Sequence, residues 1–191
     1  GGDLRDLASV RTLAEAEEMP LQATAALEAI RQFPVPVIAA LNGDALGGGA
    51  ELAVACDFRV FANHARLGFI QGRLNITSAW GGGIDLMRLV GPARAMRMMS
   101  RTELLSGEEA KAIGLADAVA EGDLDAAVAG FLKPMLKQSP HVMRAFKALN
   151  LEQRRGARRR EMLSLETRHF AAASVHDDHW AAPDGIVTKA V

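Results

Sequence analysis

The chain has 191 residues, 49% hydrophobic and 24% charged, the composition of a soluble globular protein with room for one sizeable core. Its 22 basic and 23 acidic side chains leave a net charge of −1, which excludes a global field for nucleic acid or an anionic membrane surface. One cysteine, Cys56, and no tyrosine exclude an internal disulfide framework, a Cys-cluster zinc site and any mechanism that needs a phenol, and they fit a reducing, cytoplasmic setting.

Residues 1–33 read as helical. Asp3 can cap a first turn, and Ala23, Ala26, Leu27, Ile30 and Phe33 recur at helical spacing. Pro34 and Pro36 stop the helix and force an extended entry into the apolar run Val37–Leu41, the pattern of a buried strand. Asn42-Gly43 is turn chemistry, and Gly47-Gly48-Gly49 precedes an Ala-rich helix over Ala50–Cys56. Phe58–Ala62 and Leu67–Ile70 predict two further strands. Ile84, Met87 and Val90 mark a helix that stops at Gly91-Pro92. Ser106 and Glu109 have capping-box spacing, with Gly114 ending the short helix they open. Leu124, Ala127, Val128, Phe131, Leu132 and Met135 form an apolar stripe that Pro134 should kink or end. Ser139-Pro140 starts a helix through Phe146 and Leu149, and a long charged helix is predicted over about Glu152–Ala173. Strands that alternate with helices before a helical C-terminal portion indicate an α/β class. In the residues given, no basic stretch followed by a short apolar run marks a secretory leader, and no apolar run approaches the roughly 18 residues of a membrane span.

The chemistry concentrates in Asn42–Leu52. Three glycines directly before a helix let backbone N–H groups approach an anion, and the helix start adds partial positive charge. Glu51, in the first turn, brings a carboxylate to the same spot. An oxyanion cradle beside one acid/base group suits chemistry alpha to a carbonyl. The same spacing also suits a tight turn whose glycines only relieve packing, so spacing alone leaves both possibilities open. The glycines do not form G-x-G-x-x-G, no lysine follows them as in a phosphate-binding loop, and no G-x-S-x-G elbow exists.

The run Pro36–Gly43, continued by Ala45-Leu46-Gly47-Gly48-Gly49-Ala50-Glu51-Leu52 and Ala55-Cys56-Asp57, resembles the signature of the enoyl-CoA hydratase/isomerase (crotonase) superfamily. Gly81-Gly82, Leu105–Ala110 and Gly114–Asp117 extend the resemblance along the chain. It implies a crotonase-like ββα spiral over residues 1–120, truncated at its N-terminus, and a helical C-terminal region over 121–191. It also implies an acyl-CoA substrate with coenzyme A as part of that substrate, no separate cofactor, no metal, and assembly as a homotrimer or dimer of trimers. By the resemblance, the Gly48 N–H is half of an oxyanion hole for the thioester carbonyl, with Gly47 beside it, and Glu51 is the acid/base glutamate. Gly1, Gly2, Asp3 and Leu4 are similar to the tail of the other oxyanion loop and are expected at the substrate, with the second donor expected upstream of Gly1.

Two departures bear on the reaction. Hydratases of the family use a second glutamate, and the matching position here is Gln71, whose amide can orient a water or carboxylate but cannot exchange a proton near neutral pH. Trp80, in Ser78-Ala79-Trp80-Gly81-Gly82, puts a large apolar wall by the expected pocket. Together with Cys56-Asp57-Phe58-Arg59, these features look most like the ethylmalonyl-CoA decarboxylase branch. Decarboxylation or another single-glutamate reaction is therefore expected first and hydration or isomerisation second, with a non-catalytic acyl-CoA-binding oligomer as the contrasting class. Elsewhere, Arg154, Arg155, Arg158, Arg159 and Arg160 read as a solvated helix face or a coenzyme A phosphate clamp. His176-Asp177-Asp178-His179 reads as a polar loop, with Trp180 packed against the body or a partner chain rather than beside a metal.

Overall fold

The structure, a computed structural model, describes residues 4–181, so Gly1, Gly2 and Asp3 lie outside the described residues. Helix α1 (Leu4–Ser9) is followed by α2 (Leu13–Arg31). Thr12 caps α2: its side chain accepts from the Glu15 N–H, and Glu15 accepts in return from the Thr12 N–H. Past α2 the two prolines hold the chain extended into β1 (Ile38–Leu41).

The next elements form repeated turns of a spiral. After β1 come β2 (Ala45–Leu46) and α3 (Gly48–Ala55); then β3 (Phe58–Ala62), β4 (Arg66–Gly68), a single 3₁₀ turn (Gln71–Leu74) and α4 (Gly82–Val90), with α5 (Pro92–Ser100) following. A last turn runs β5 (Leu105–Ser106), α6 (Gly107–Ala112), β6 (Ala118–Ala120) and α7 (Leu124–Leu132). Each turn gives one strand to each of two small sheets, ordered β1-β3-β6 and β2-β4-β5. Ile38 pairs with Phe58 and Val60 with Ala118 in parallel register, whereas β5 pairs antiparallel to β4 through Leu67 and Leu105. The core lies between sheets and helices and contains Leu41, Val54, Phe61, Leu67, Phe69, Leu86, Met98 and Leu115.

Two compact units divide between Lys133 and Pro134. Helix α7 belongs to the first, where Phe131 packs edge-on against Phe58 at 5.3 Å between ring centroids. The second unit contains α8 (Pro140–Arg155), α9 (Arg159–Ser174) and the single turn α10 (Asp177–Trp180). No described helix is long and apolar enough to cross a membrane.

Three local expectations are corrected. The charged helix expected over Glu152–Ala173 is broken at Gly156, which adopts φ +79°, ends α8 and donates its N–H to the Gln153 carbonyl. In α4 the helix is present but its inward face differs: Ile84 and Met87 are exposed, and Gly82, Gly83, Asp85, Leu86 and Val90 are buried. Gly82 on this face allows a close approach to Glu51 of α3 that a larger residue would block. Trp180 is 74% exposed and touches His179 edge-on rather than packing into the second unit, which leaves a partner chain as the expected cover for it.

Candidate active site

Helix α3 carries the site at its N-terminal end. Gly47 takes φ +55°, a left-handed conformation that suits glycine, and its N–H donates to the Gly68 carbonyl of β4. Gly48, the first residue of α3, has no acceptor for its N–H within the helix, and none is found for it among the described residues. The other end of α3 is held by Arg59 of β3, which is 2% exposed and donates to the carbonyls of Cys56 and Leu115 at 3.1 and 2.5 Å. A cation at the C-terminal carbonyls and bare N–H groups at the N-terminus both follow the helix dipole.

Glu51 is 2% exposed. Its Oε2 accepts from the Trp80 and Gly82 N–H groups, both at 2.9 Å. Its Oε1 accepts from the Gln71 side-chain amide at 3.1 Å and, more weakly, from the Ala79 N–H at 3.4 Å. The carboxylate is thus gripped by one loop, Ala79–Gly82, and by Gln71 from the 3₁₀ turn. A Cβ added at Gly82 would lie 2.5 Å from the Glu51 Cβ and Cγ, which explains why glycine stands there. Oε2 is anchored by two short bonds, and Oε1 has the looser partners, which leaves more of its acceptor capacity open.

Trp80 is half-buried. A Cβ added at Gly48 would run into its indole ring, so the ring covers the backbone at the start of α3 with an apolar wall. Gly47, Gly48, Glu51, Gln71 and Trp80 therefore come together, all in the first compact unit. Of the expected oxyanion-loop residues, Leu4 begins α1, and Gly1, Gly2 and Asp3 are outside the described residues.

Sequence reasoning missed what holds this assembly. Arg31 and Asp85 are 8% and 4% exposed, and the Arg31 Nε donates to Asp85 Oδ2 at 2.7 Å. Arg31 Nη2 also donates to the Trp80 carbonyl at 3.1 Å. A signal was present in the charged Asp85, set among apolar residues right after the paired glycines, but its partner is 54 positions away. The backbone donors of Ala79 and Trp80 carried no side-chain signal at all.

The remaining candidates behave otherwise. Cys56 is buried, with its Sγ 3.6 Å from the Leu52 carbonyl. In the arginine run, Arg155 pairs with Glu152 at 2.7 Å on α8, and the Arg158 N–H donates to Glu161 at the start of α9. His176 caps α10 by accepting the Asp178 N–H at its Nδ1, and its ring stacks on His141 at 3.9 Å between centroids. Asp178 lies 3.4 and 3.5 Å from the Nδ1 atoms of His141 and His176. His179 takes no part in that cluster, and its ring lies against Trp180.

A family model described as enoyl-CoA hydratase/isomerase matches residues 1–187. The chain is 37% identical over 152 residues to a mitochondrial methylglutaconyl-CoA hydratase of Rattus norvegicus, covering 77% of this chain and 48% of the relative. It is 30% identical over 150 residues to an ethylmalonyl-CoA decarboxylase of Xenopus tropicalis, covering 77% and 50%. Its backbone superimposes on the crystal structure of an enoyl-CoA hydratase from Bacillus anthracis with a TM-score of 0.86 and 30% identity, over 94% of this chain and 69% of that one. The chain spans about half the length of the curated relatives it matches.

Proposed function

The chain belongs to the enoyl-CoA hydratase/isomerase family, and from that premise we propose that it acts on an acyl-CoA thioester through an enolate, in decarboxylation of a malonyl-type substrate or another reaction run by one glutamate. The observation that carries this reading is the Gln71 amide on Glu51 Oε1 at 3.1 Å. Where a two-carboxylate hydratase would hold its second proton carrier, this site has a neutral donor spent on orienting the first.

In decarboxylation the bond from Cα to the free carboxylate breaks and CO₂ leaves. The electron pair passes into the thioester, giving an enolate whose oxygen the Gly48 N–H takes up. Glu51 enters this step as the protonated acid, gives the Oε1 proton to Cα, and is left as the carboxylate, which recovers a proton from solvent. Nothing is oxidised or reduced, so the scheme calls for no cofactor beyond the coenzyme A of the substrate. Trp80 keeps water from the enolate side of α3, which strengthens the hydrogen bond to the developing charge. Assembly as a homotrimer or dimer of trimers is part of the same proposal.

Hydration is the second reading, favoured by the higher identity to the relative named as a hydratase, 37% against 30% for the decarboxylase. Incubating the intact protein with ethylmalonyl-CoA, a 2-enoyl-CoA and a 3-enoyl-CoA, with products followed by mass spectrometry, separates the two. Release of CO₂ faster than addition of water supports decarboxylation, and rapid hydration without CO₂ overturns it. Binding of all three thioesters with turnover of none would leave a non-catalytic acyl-CoA-binding protein.

A further inference from the structure

We infer that Arg31 is a positioning residue for the acid/base carboxylate: through the Trp80 carbonyl it sets the loop amides that grip Glu51. The inference rests on the reading of Glu51 as the proton carrier.

Arg31 is the last residue of α2, and all three of its guanidinium nitrogens are engaged. Nε donates to Asp85 Oδ2 at 2.7 Å, Nη2 donates to the Trp80 carbonyl at 3.1 Å, and Nη1 lies 3.6 Å from Glu28 Oε2. Asp85 sits in the first turn of α4, directly beyond the loop. The guanidinium therefore ties the loop to α2 and to α4. It also lies close against the loop backbone: Gly81 takes φ +85°, and a Cβ there would be 3.1 Å from Arg31 Nη2.

The chain order gives this contact its leverage. The Trp80 carbonyl lies between the two N–H groups, of Trp80 and Gly82, that hold Glu51 Oε2 at 2.9 Å. Because peptide units are planar, fixing that carbonyl limits the torsions that aim both amides. A second contact acts in the same way, since the Thr24 hydroxyl of α2 donates to the Ala79 carbonyl at 3.4 Å, on the peptide whose N–H belongs to Trp80. Stability alone gives little reason for a buried ion pair here, because apolar replacements of similar volume often fold as well. Arg31 serves Asp85 and the Trp80 carbonyl from two different nitrogens, Nε and Nη2, whereas a lysine would have to reach both with one.

The test uses the intact protein with Arg31→Lys, with the double change Arg31→Met and Asp85→Leu, and with Glu51→Gln. The readouts are kcat and KM on a thioester that the wild type turns over, the melting temperature, and amide exchange at Trp80 and Gly82. The double variant is expected to melt near the wild type and keep its KM, to lose on the order of 100-fold in kcat, and to exchange faster at both amides. Arg31→Lys should keep the fold and lose part of kcat. A double variant that folds with wild-type kcat and exchange overturns the inference; if the double variant does not fold, Arg31→Lys with full kcat overturns it equally. Full activity in Glu51→Gln would remove the reading of Glu51, while the exchange measurement would still decide whether Arg31 holds the loop.

Discussion

Glu51 divides its work between two oxygens, Oε2 tied to two backbone amides and Oε1 facing the Gln71 amide. Such precision depends on close backbone approach, and Gly82 provides it. Gly82→Ala would place a methyl 2.5 Å from the Glu51 Cβ and 2.7 Å from its Cα, and the backbone of α3 or α4 would have to move. The expected outcome is a loss of about 1–3 kcal/mol in stability, read from denaturant unfolding, together with reduced turnover. At this scale the sequence was informative wherever a side chain or a glycine stands at the candidate site. The glycine loop with Gly48, and Glu51, could be singled out by type and spacing, and Gly47, Gln71 and Trp80 through the family resemblance. The Ala79 and Trp80 amides and the Arg31–Asp85 pair could not, because backbone donors have no residue signature and the pair joins segments far apart in the chain.

The elements were legible where local chemistry dictates them. Ser106 and Glu109 form the capping box their spacing predicts, with the Ser106 N–H donating to Glu109 at 2.8 Å. That backbone bond, helped by the Ser106 hydroxyl, holds the Glu109 carboxyl below its ordinary value of 4.5. Glu15 is lowered in the same way by the Arg11 and Thr12 N–H groups, and Asp44 by the Arg66 guanidinium. A folded-state value below the unfolded one gives stability that is present above the ordinary carboxylate range and is lost as pH falls through the lowered value. The melting temperature should therefore drop as the solution is acidified below about pH 4.5, and Glu109→Gln should flatten that acid slope in a calorimetric series. The break at Gly156 went unseen because charge periodicity continues across it, while a single left-handed residue ends the helix. Gly156→Ala should cost about 1–2 kcal/mol by forcing a Cβ into that conformation, measured as a lower unfolding midpoint.

For the whole molecule, the ββα spiral explains why one short helix can carry a site. Each turn returns a strand to both sheets, so the chain just before α3 is pinned by β4 through the Gly47 N–H, and its C-terminus is pinned by Arg59. The alternation of apolar runs and glycine turns made the α/β class readable. Which face of α4 turns inward was not readable, because Gly82 rather than a large apolar residue makes the contact with Glu51. We propose that one carboxylate, held by a loop and an amide, moves the proton in this site. This is tested most directly by kcat of Glu51→Gln on the thioester the intact protein turns over fastest, with melting curves to show that both proteins are folded. The expected result is a folded variant slowed by about 100- to 10,000-fold, and a folded variant that keeps wild-type kcat would contradict the claim.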